Sequence, residues 1–245
     1  MLELQHLTER VILSADLPLG AVPAHRTKIE VFQFLGGLCD AIEGLNVLLK
    51  VEVVARVCGV PEVLQYLKGR NVRVMLDLKS SGTDNTLLNE YLVYARYEPA
   101  IVTIDSRVTR HAFDGIKNML PSALVLPFGL PTDKGDADFV AEGYHDRRSA
   151  AKDYFVRAEY LEAEGLLCAP RDIRWIPSYQ RDQVSIVCPG VKPSDAMADS
   201  NSLNALAPTE AQRAGTDFFV FGRGVNDHPD VRGRVEQMLD LLQLR

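Results

Sequence analysis

The 245-residue sequence lacks the long apolar runs and the basic excess that mark two large classes of protein. Its apolar runs are short and interrupted by charge, so we predict no transmembrane helix. A net charge of -6 argues against a broad nucleic-acid-binding face, which needs a surplus of Lys and Arg. No basic segment followed by an apolar one opens the chain, so we expect no secretion signal. We therefore predict a cytoplasmic protein with neither a membrane nor a nucleic-acid partner.

Metal-ligand and nucleotide-binding patterns are also missing. The four cysteines lack CxxC or zinc-finger spacing and sit in or beside apolar segments, which predicts buried free thiols; they are Cys39, Cys58, Cys168 and Cys188. The five histidines are scattered without paired-ligand spacing, so we predict no metal site. No GxGxxG follows the first apolar run, which argues against a dinucleotide-binding open sheet.

Short apolar, β-branched runs are what the sequence does contain, and most are separated by segments with helical spacing. The eight runs are Arg10–Asp16, Leu45–Val51, Val72–Leu78, Ala100–Asp105, Ala123–Pro127, Gly165–Ala169, Gln183–Cys188 and Asp217–Gly222. Strands that are apolar on both faces and alternate with helices predict a parallel sheet covered by helices. Eight such units in ~250 residues match a closed (β/α)8 TIM barrel. The alternative is an open doubly wound sheet, but no run has the polar character of an edge strand. We predict one barrel domain over residues 1–245.

Two segments interrupt the alternation. Residues 128–149 are rich in Gly, Asp and Pro, and we predict a long loop or a short helical excursion there. Residues 189–204 predict a mobile loop of the kind that closes over ligands in barrels. We interpret Arg147 and Arg148 as solvated charges on a helix.

Charged residues stand where the first four predicted strands end, and in barrel enzymes the reactive groups lie at those ends. Strand one ends at Asp16, strand two at Lys50, strand three at Asp77 and Lys79, and strand four at Asp105. Side chains alternate along a strand, so Asp77 and Lys79 point the same way. An ammonium with carboxylate neighbours stays charged and in place. The alternating signs favour a proton-transfer site; the alternative is a structural ion-pair network that caps the barrel.

A second candidate site lies at the last two strands. Gly222-Arg223-Gly224 follows strand eight, and Pro189-Gly190 follows strand seven. Glycines let backbone N–H groups converge on an anion, and Arg223 adds a forked, permanently charged donor. A phosphate site made from these two loops recurs in barrels. The alternative is an ordinary turn with a solvated arginine.

The chain resembles the orotidine 5′-phosphate decarboxylase superfamily over nearly its whole length. The motifs that carry the resemblance are Ser14-Ala15-Asp16, Leu49-Lys50-Val51, Leu76-Asp77-Leu78-Lys79, Asn85-Thr86, Val102-Thr103-Ile104, Cys188-Pro189-Gly190-Val191 and Gly222-Arg223-Gly224. The resemblance implies a ribulose-phosphate-binding type of TIM barrel, a phosphorylated small-molecule substrate, a place in pyrimidine biosynthesis and no cofactor. It also implies a homodimer whose sites lie near the subunit interface.

The resemblance gives individual residues roles. Asp16 is expected to hold the ribose hydroxyls, and Lys50 to stand between a substrate hydroxyl and the charged array. Asp77 is expected near the departing CO₂, and Lys79 is expected to protonate the carbon left behind. The remaining implied substrate-binding residues are Thr86, Pro189, Gly190, Gly222 and Arg223, the last as phosphate anchor. A related branch uses Mg²⁺ beside an acid at the position of Lys50, whose ammonium would repel a cation, so we predict no magnesium.

Three positions depart from the family pattern Asp-x-Lys-x-x-Asp and its surroundings. The second aspartate is replaced by Gly82, which is expected to leave Lys79 one carboxylate short; Asp84 could replace it if the loop is rebuilt. Phe128 stands near the expected pyrimidine-reading serine. Asn201, Ser202 and Asn204 occupy the region of an expected glutamine.

Three hypotheses follow. The first is a cofactor-independent decarboxylase that converts orotidine 5′-monophosphate to uridine 5′-monophosphate. The second is a divergent paralogue acting on another nucleotide or sugar phosphate, because the pyrimidine-reading positions differ. The third is a non-catalytic protein that keeps the phosphate site, since a fold does not establish a function.

Overall fold

The computed structural model describes residues 8–17, 27–196 and 203–244, which form a closed barrel of eight parallel strands. Each strand pairs with the next along the chain, and the first strand also pairs with the last. The strands are β1 Val11–Ser14, β2 Val47–Val51, β3 Val74–Ser80, β4 Ile101–Asp105, β5 Leu124–Phe128, β6 Gly165–Leu167, β7 Ser185–Pro189 and β8 Phe218–Phe221. Every predicted run overlaps one strand, so the predicted TIM barrel is confirmed.

Helices cover the outside of the barrel in the described ranges. They are α1 Lys28–Ile42, α2 Val53–Cys58, α3 Val60–Gly69, α4 Asp84–Ala95, α5 Arg110–Met119, α6 Asp136–Ala141, α7 Arg147–Tyr160, α8 Ser178–Arg181, α9 Pro208–Ala214, α10 Arg223–Asn226 and α11 Val231–Leu242. Two 3-10 helices span Pro170–Trp175 and Ser194–Ala196. Local sequence explains several helix starts: Thr27, for example, begins α1 with a capping box closed by Glu30. Within the described part of the chain, no helix has both the length and the apolar character needed to cross a membrane.

Two apolar layers hold the barrel, and the alternation of side chains along each strand separates them. The outer layer lies between strands and helices, while the inner layer fills the barrel with residues such as Ile12, Leu48, Met75 and Ile101. Two residues after each of these four, on the same face, a polar residue follows; the four are Ser14, Lys50, Asp77 and Thr103. Because side chains on one face recur every second residue, the barrel interior changes from apolar to polar at the carboxyl-terminal ends of these strands.

The two segments that interrupt the alternation, residues 128–149 and 189–204, have different structures. Residues 128–149 contain α6 and the start of α7, which agrees with the predicted helical excursion. In the second segment, Val191 forms an isolated parallel bridge with Leu206. Residues 197–202, including Asn201 and Ser202, lie outside the described residues.

Candidate active site

The charged side chains at the ends of β1, β2 and β3 meet at the barrel mouth. Lys50 Nζ lies 3.1 Å from Asp77 Oδ2 and 3.8 Å from Asp16 Oδ1. Lys79 Nζ lies 3.0 Å from the same Oδ2 atom of Asp77. Asp105, at the end of β4, instead accepts hydrogen bonds from the guanidinium group of Arg107. The structure thus brings together four of the five strand-end residues.

Glu52 is a fifth member of this array that sequence reasoning missed. Its Oε2 atom lies 2.9 Å from Lys79 Nζ and 3.6 Å from Lys50 Nζ. Lys50, Asp77, Lys79 and Glu52 therefore form a closed cycle of alternating charge, which we call the charge ring. Within this chain the carboxylates of Asp77 and Glu52 both contact Lys79. The expectation that glycine at position 82 leaves Lys79 one carboxylate short stays a prediction. The spacing of two residues between Lys50 and Glu52 gave no usable signal, because Glu52 lies beyond the end of β2, where strand alternation does not apply.

Thr103 on β4 supports the ring from behind. Its hydroxyl donates to Asp77 Oδ1 over 2.8 Å and accepts the backbone N–H of Lys79 over 3.0 Å. The pairing of β3 with β4 shifts register between Leu76 and Ser80, and Lys79 has a φ of 52°, in the left-handed region. That conformation is unfavourable for a residue with a side chain and is concentrated at functional sites. One hydroxyl thus fixes both the Asp77 carboxylate and the irregular backbone of Lys79.

Burial and pairing set the charge states of the ring. Asp77 and Lys50 are only 4% and 9% exposed. Burial alone would raise the pKa of Asp77, but the ammonium groups of Lys50 and Lys79, with the Thr103 hydrogen bond, lower it below its usual value. Burial would lower the pKa of Lys50, yet the carboxylates of Asp77, Asp16 and Glu52 raise it. Asp77 is therefore an anion and Lys50 a cation at neutral pH.

A cavity of about 570 Å³ opens above the charge ring. Its opposite wall is formed by the loops after β7 and β8, with Pro189, Gly190, Gly222 and Arg223 among the lining residues. Gly190 has a φ of 84°, which favours glycine. Arg223 is exposed, and among the described residues no carboxylate pairs with it. The predicted anion-binding residues therefore face the predicted proton-transfer residues across one cavity.

Phe128, at the end of β5, lines the same cavity as the charge ring. Lys79 Nζ lies 5.3 Å from the centre of its ring, within the range of a cation–π contact. The aromatic ring of Phe128 offers no hydrogen bond to a ligand. Ser14 lies deeper in the cavity, and its buried hydroxyl has no hydrogen-bond partner among the described residues. The cavity lining thus includes an aromatic surface at Phe128 and, at Ser14, a residue whose buried hydroxyl is unpaired among the described residues.

Asp84 and Thr86 do not join the cavity of their own chain. Both lie in the first turn of α4, where the Thr83 side chain caps the helix by accepting the N–H of Thr86. The Asp84 carboxylate accepts the hydroxyl of Thr109 over 2.8 Å, and Thr86 Oγ1 lies 2.9 Å from Thr83 Oγ1. Gly82 has a φ of 151°. The expected catalytic role of Asp84 and the expected substrate contact of Thr86 stay predictions.

A buried ion pair holds the loop after β5 at the cavity edge. Arg147, interpreted from sequence as solvated, is only 4% exposed and pairs with Asp172, which is fully buried. Its guanidinium group also donates to the backbone carbonyls of Pro131 and Lys134. The Asn204 side chain donates to the carbonyl of Thr132 over 3.2 Å. The solvated interpretation of Arg147 is therefore wrong: it fixes a segment that lines the cavity.

Comparison with known proteins agrees with this geometry. No family model matches the chain. The orotidine 5′-phosphate decarboxylase of Geobacter sulfurreducens is 39% identical over 200 residues, which cover 75% of this chain and 79% of that protein. This chain belongs to the orotidine 5′-phosphate decarboxylase family. The enzyme of the same name from Synechocystis is 27% identical over 210 residues, covering 82% of this chain and 89% of that one.

Solved structures show the same fold. The orotidine 5′-phosphate decarboxylase of Lactobacillus acidophilus superposes with a TM-score of 0.74 at 19% identity, covering 96% of this chain and 99% of that chain. An uncharacterized conserved protein from Geobacillus kaustophilus gives a TM-score of 0.71 at 17% identity, with 95% and 99% covered. The family resemblance inferred from sequence is confirmed, and it places the chain among the carboxy-lyases.

Proposed function

We propose that the protein removes CO₂ from orotidine 5′-monophosphate, or from a closely related phosphorylated acid, to give uridine 5′-monophosphate or its counterpart. The observation that carries the proposal is a buried, ionised Asp77 in contact with the ammonium of Lys79 at the floor of a cavity. The opposite wall of that cavity carries Arg223. The residues needed to repel a carboxylate, supply a proton and hold a phosphate share one space.

Asp77 supplies the electrostatic part of the reaction. A substrate carboxylate placed beside this buried anion is repelled, and loss of neutral CO₂ removes the repulsion. The hydroxyl of Thr103 and the two lysines hold Asp77 in place, so it cannot turn away when substrate binds. The fixed charge therefore favours the transition state over the bound substrate.

Lys79 supplies the proton. When the carbon–carboxylate bond breaks, its electron pair stays on the ring carbon, and the nearby ammonium stabilises that negative charge. Transfer of one proton from Lys79 Nζ to the carbon then completes the product, and the neutral amine regains a proton from solvent. The side chain of Lys79 is about one-quarter exposed, so it can reach both substrate and water. This chemistry needs no cofactor.

Binding energy comes from the distant end of the substrate. Arg223 and the backbone of the loops after β7 and β8 would hold the phosphate, as forked and convergent donors do. Asp16, whose carboxylate lies 3.8 Å from Lys50, would accept hydrogen bonds from the ribose hydroxyls. Contacts far from the reacting carbon can then supply the free energy that forces the carboxylate against Asp77.

The test is direct. Purified protein is incubated with orotidine 5′-monophosphate, and the loss of its ultraviolet absorbance is followed with and without chelator. We expect turnover in both conditions, and Lys79→Ala should abolish it. Absence of turnover at high enzyme concentration would reject this substrate.

Phe128 favours a second candidate, a different phosphorylated substrate. An aromatic face against Lys79 gives no partner to a pyrimidine amide, whose buried polar atoms would stay unpaired. Thermal-shift measurements against nucleotides and sugar phosphates distinguish the two, because a ligand of the native state raises the melting temperature. Strongest stabilisation by uridine 5′-monophosphate supports the first candidate, and strongest stabilisation by a sugar phosphate supports the second.

We also propose that the protein is a homodimer with its sites near the interface. Exposed apolar side chains on α2 and α4, the helices that follow β2 and β3, support this arrangement: Val53, Val57, Leu92 and Val93. Light scattering after size-exclusion chromatography gives the mass directly. A mass near that of one 245-residue chain at micromolar concentration would reject the dimer.

A further inference from the structure

Glu52 makes two contacts that nothing in the proposed reaction yet uses. Its Oε2 atom contacts Lys79 Nζ at 2.9 Å and Lys50 Nζ at 3.6 Å. We propose that Glu52 is the positioning residue of the proton donor: it fixes the Lys79 ammonium at the reacting carbon and completes the charge ring within a single chain. The proposal rests on the proposed decarboxylase function for its kinetic consequences, although the positioning itself can be measured without substrate.

Lys79 needs a second carboxylate because it shares the first, that of Asp77, with Lys50. Both ammonium nitrogens contact the same oxygen, Oδ2 of Asp77, at 3.1 and 3.0 Å. Two cations on one oxygen repel each other. Asp16 is a further carboxylate for Lys50, at 3.8 Å, whereas the described carboxylates that pair with Lys79 are Asp77 and Glu52. Glu52 bridges the same two nitrogens from the other side. Its charge therefore holds the Lys79 ammonium beside Asp77, at the floor of the cavity.

The backbone of Lys79 makes this restraint important. Its φ of 52° directs the side chain from an irregular end of β3, where strand alternation no longer sets the direction. The side chain has four rotatable bonds and is partly exposed, so one contact at Asp77 leaves it considerable freedom. A contact on each side of the ammonium restricts it to one position. Misplacement of a reacting group by about 1 Å can cost 10²-fold in rate.

The position of Glu52 also explains how the ring can be complete without an acid at position 82. Gly82 has a φ of 151°, where a residue with a side chain is strained. Glu52 instead follows β2 directly and begins α2, whose Arg56 donates to the carbonyl of Leu78 on β3. The last turn of α2 is thereby tied to the strand that carries Lys79. The charge ring and the helix that supports it therefore come from β2, α2 and β3 of the same chain.

The kinetic test compares Glu52→Gln, which keeps the shape and removes the charge, with Glu52→Asp. The matched control is Glu98→Gln, since Glu98 forms a carboxylate–ammonium pair with Lys68 on the surface at 2.8 Å. We expect Glu52→Gln to lower kcat by about 10²-fold with KM changed less than about threefold, since the phosphate contacts are intact. Glu52→Asp should recover part of kcat, and Glu98→Gln should match the wild type. Equal kcat values for Glu52→Gln and the wild type would overturn the proposal, as would a loss explained by unfolding in a thermal melt.

The second measurement needs no turnover. Ammonium protons of lysines give ¹⁵N-correlated signals only when they are held and exchange slowly, and the Lys79 signal is identified by its loss in Lys79→Met. We expect the Lys79 signal in the wild type and in Glu98→Gln, and its loss in Glu52→Gln. A Lys79 signal unchanged in Glu52→Gln, or absent from the wild type, overturns the positioning role. If this pattern appears while orotidine 5′-monophosphate is not consumed, the substrate proposal fails and the role of Glu52 stands.

Discussion

The hydroxyl of Thr103 donates a 2.8 Å hydrogen bond to the carboxylate of Asp77, and it does so from the neighbouring strand. The same oxygen accepts the N–H of Lys79. Thr103 is fully buried, so neither group finds water in its place if the hydroxyl is removed. The geometry of the candidate proton donor thus depends on a residue that carries no charge.

Thr103→Val, which keeps the shape, should therefore reduce both stability and activity. Loss of the hydroxyl leaves a buried acceptor and donor unpaired, which costs about 1–3 kcal/mol in the free energy of unfolding. We expect kcat to fall by about an order of magnitude, equivalent to ~1.4 kcal/mol in the barrier. The control is Thr216→Val, because the Thr216 hydroxyl is buried without a hydrogen-bond partner among the described residues. Urea denaturation and steady-state kinetics give both values; equal behaviour of the two variants would contradict the prediction.

Lys79→Ala should separate catalysis from binding. The variant removes the proposed proton donor but leaves Arg223 and the loops after β7 and β8 intact. We expect no measurable turnover of orotidine 5′-monophosphate, with uridine 5′-monophosphate still bound in calorimetry. Retention of turnover would show that another group donates the proton. A wild type that binds this nucleotide without consuming orotidine 5′-monophosphate would support a non-catalytic role.

Asp77 predicts a pH dependence of stability. Its pKa in the folded state lies below the unfolded value of ~3.9, so folding favours the ionised form. The resulting stabilisation is present above the unfolded pKa and is lost as the pH falls through the folded pKa. We expect Asp77→Asn to unfold more easily than the wild type at pH 6, with the difference shrinking below about pH 4. Denaturation midpoints across this range give the difference; a gap that widens in acid would contradict the assignment.

The buried pair of Arg147 and Asp172 should matter more to stability than any surface pair. Arg147→Met leaves a fully buried carboxylate without its partner, which costs about 3–5 kcal/mol in the free energy of unfolding. The double variant Arg147→Met, Asp172→Leu should recover much of this loss. Arg70→Met, which breaks an exposed pair with Asp40, should change the midpoint little. Equal effects of Arg147→Met and Arg70→Met in denaturant titrations would contradict the prediction.

Arg223 should act on the phosphate alone. Hydrogen bonds to charged groups contribute about 1.5–3 kcal/mol, so Arg223→Met should weaken uridine 5′-monophosphate binding by roughly 10- to 100-fold. Uridine, which lacks the phosphate, should bind wild type and variant alike. Isothermal titration of both ligands makes the comparison, with Arg70→Met as the control. Equal loss for nucleotide and nucleoside would place Arg223 away from the phosphate.

The alternation of side chains along the strands explains which site residues could be predicted from the sequence. Leu48 and Met75 fill the barrel, so the residues two positions later, Lys50 and Asp77, had to face the mouth. Glu52 lies beyond the last residue of β2, with φ of -138° and ψ of -82°, where no period applies. Its contact with Lys79 depends on the turn that starts α2. Strand alternation therefore predicted Lys50 and Asp77, whereas the positions of Glu52 and Lys79 depend on irregular backbone at the ends of β2 and β3.

Arg147 shows a second reason for failure. A pair of arginines at a helix start is usually solvated, and nothing near it in the chain suggests otherwise. Its partner Asp172 lies 25 residues away in a 3-10 helix after β6. The two meet only because the barrel places α7 beside that segment. Pairings between separate connections are set by tertiary packing, which a periodic pattern does not encode.

The residues around the mouth of the barrel form two groups that lie on different strands. The charge ring and Asp16 come from β1, β2, β3 and the turn after β2, while Phe128, Pro189 and Arg223 come from the other side. Phe128 touches the charge ring through Lys79, whereas the loops after β7 and β8 carry no member of the ring. The residues proposed to hold the phosphate therefore lie on different segments of the chain from those proposed to carry out the reaction.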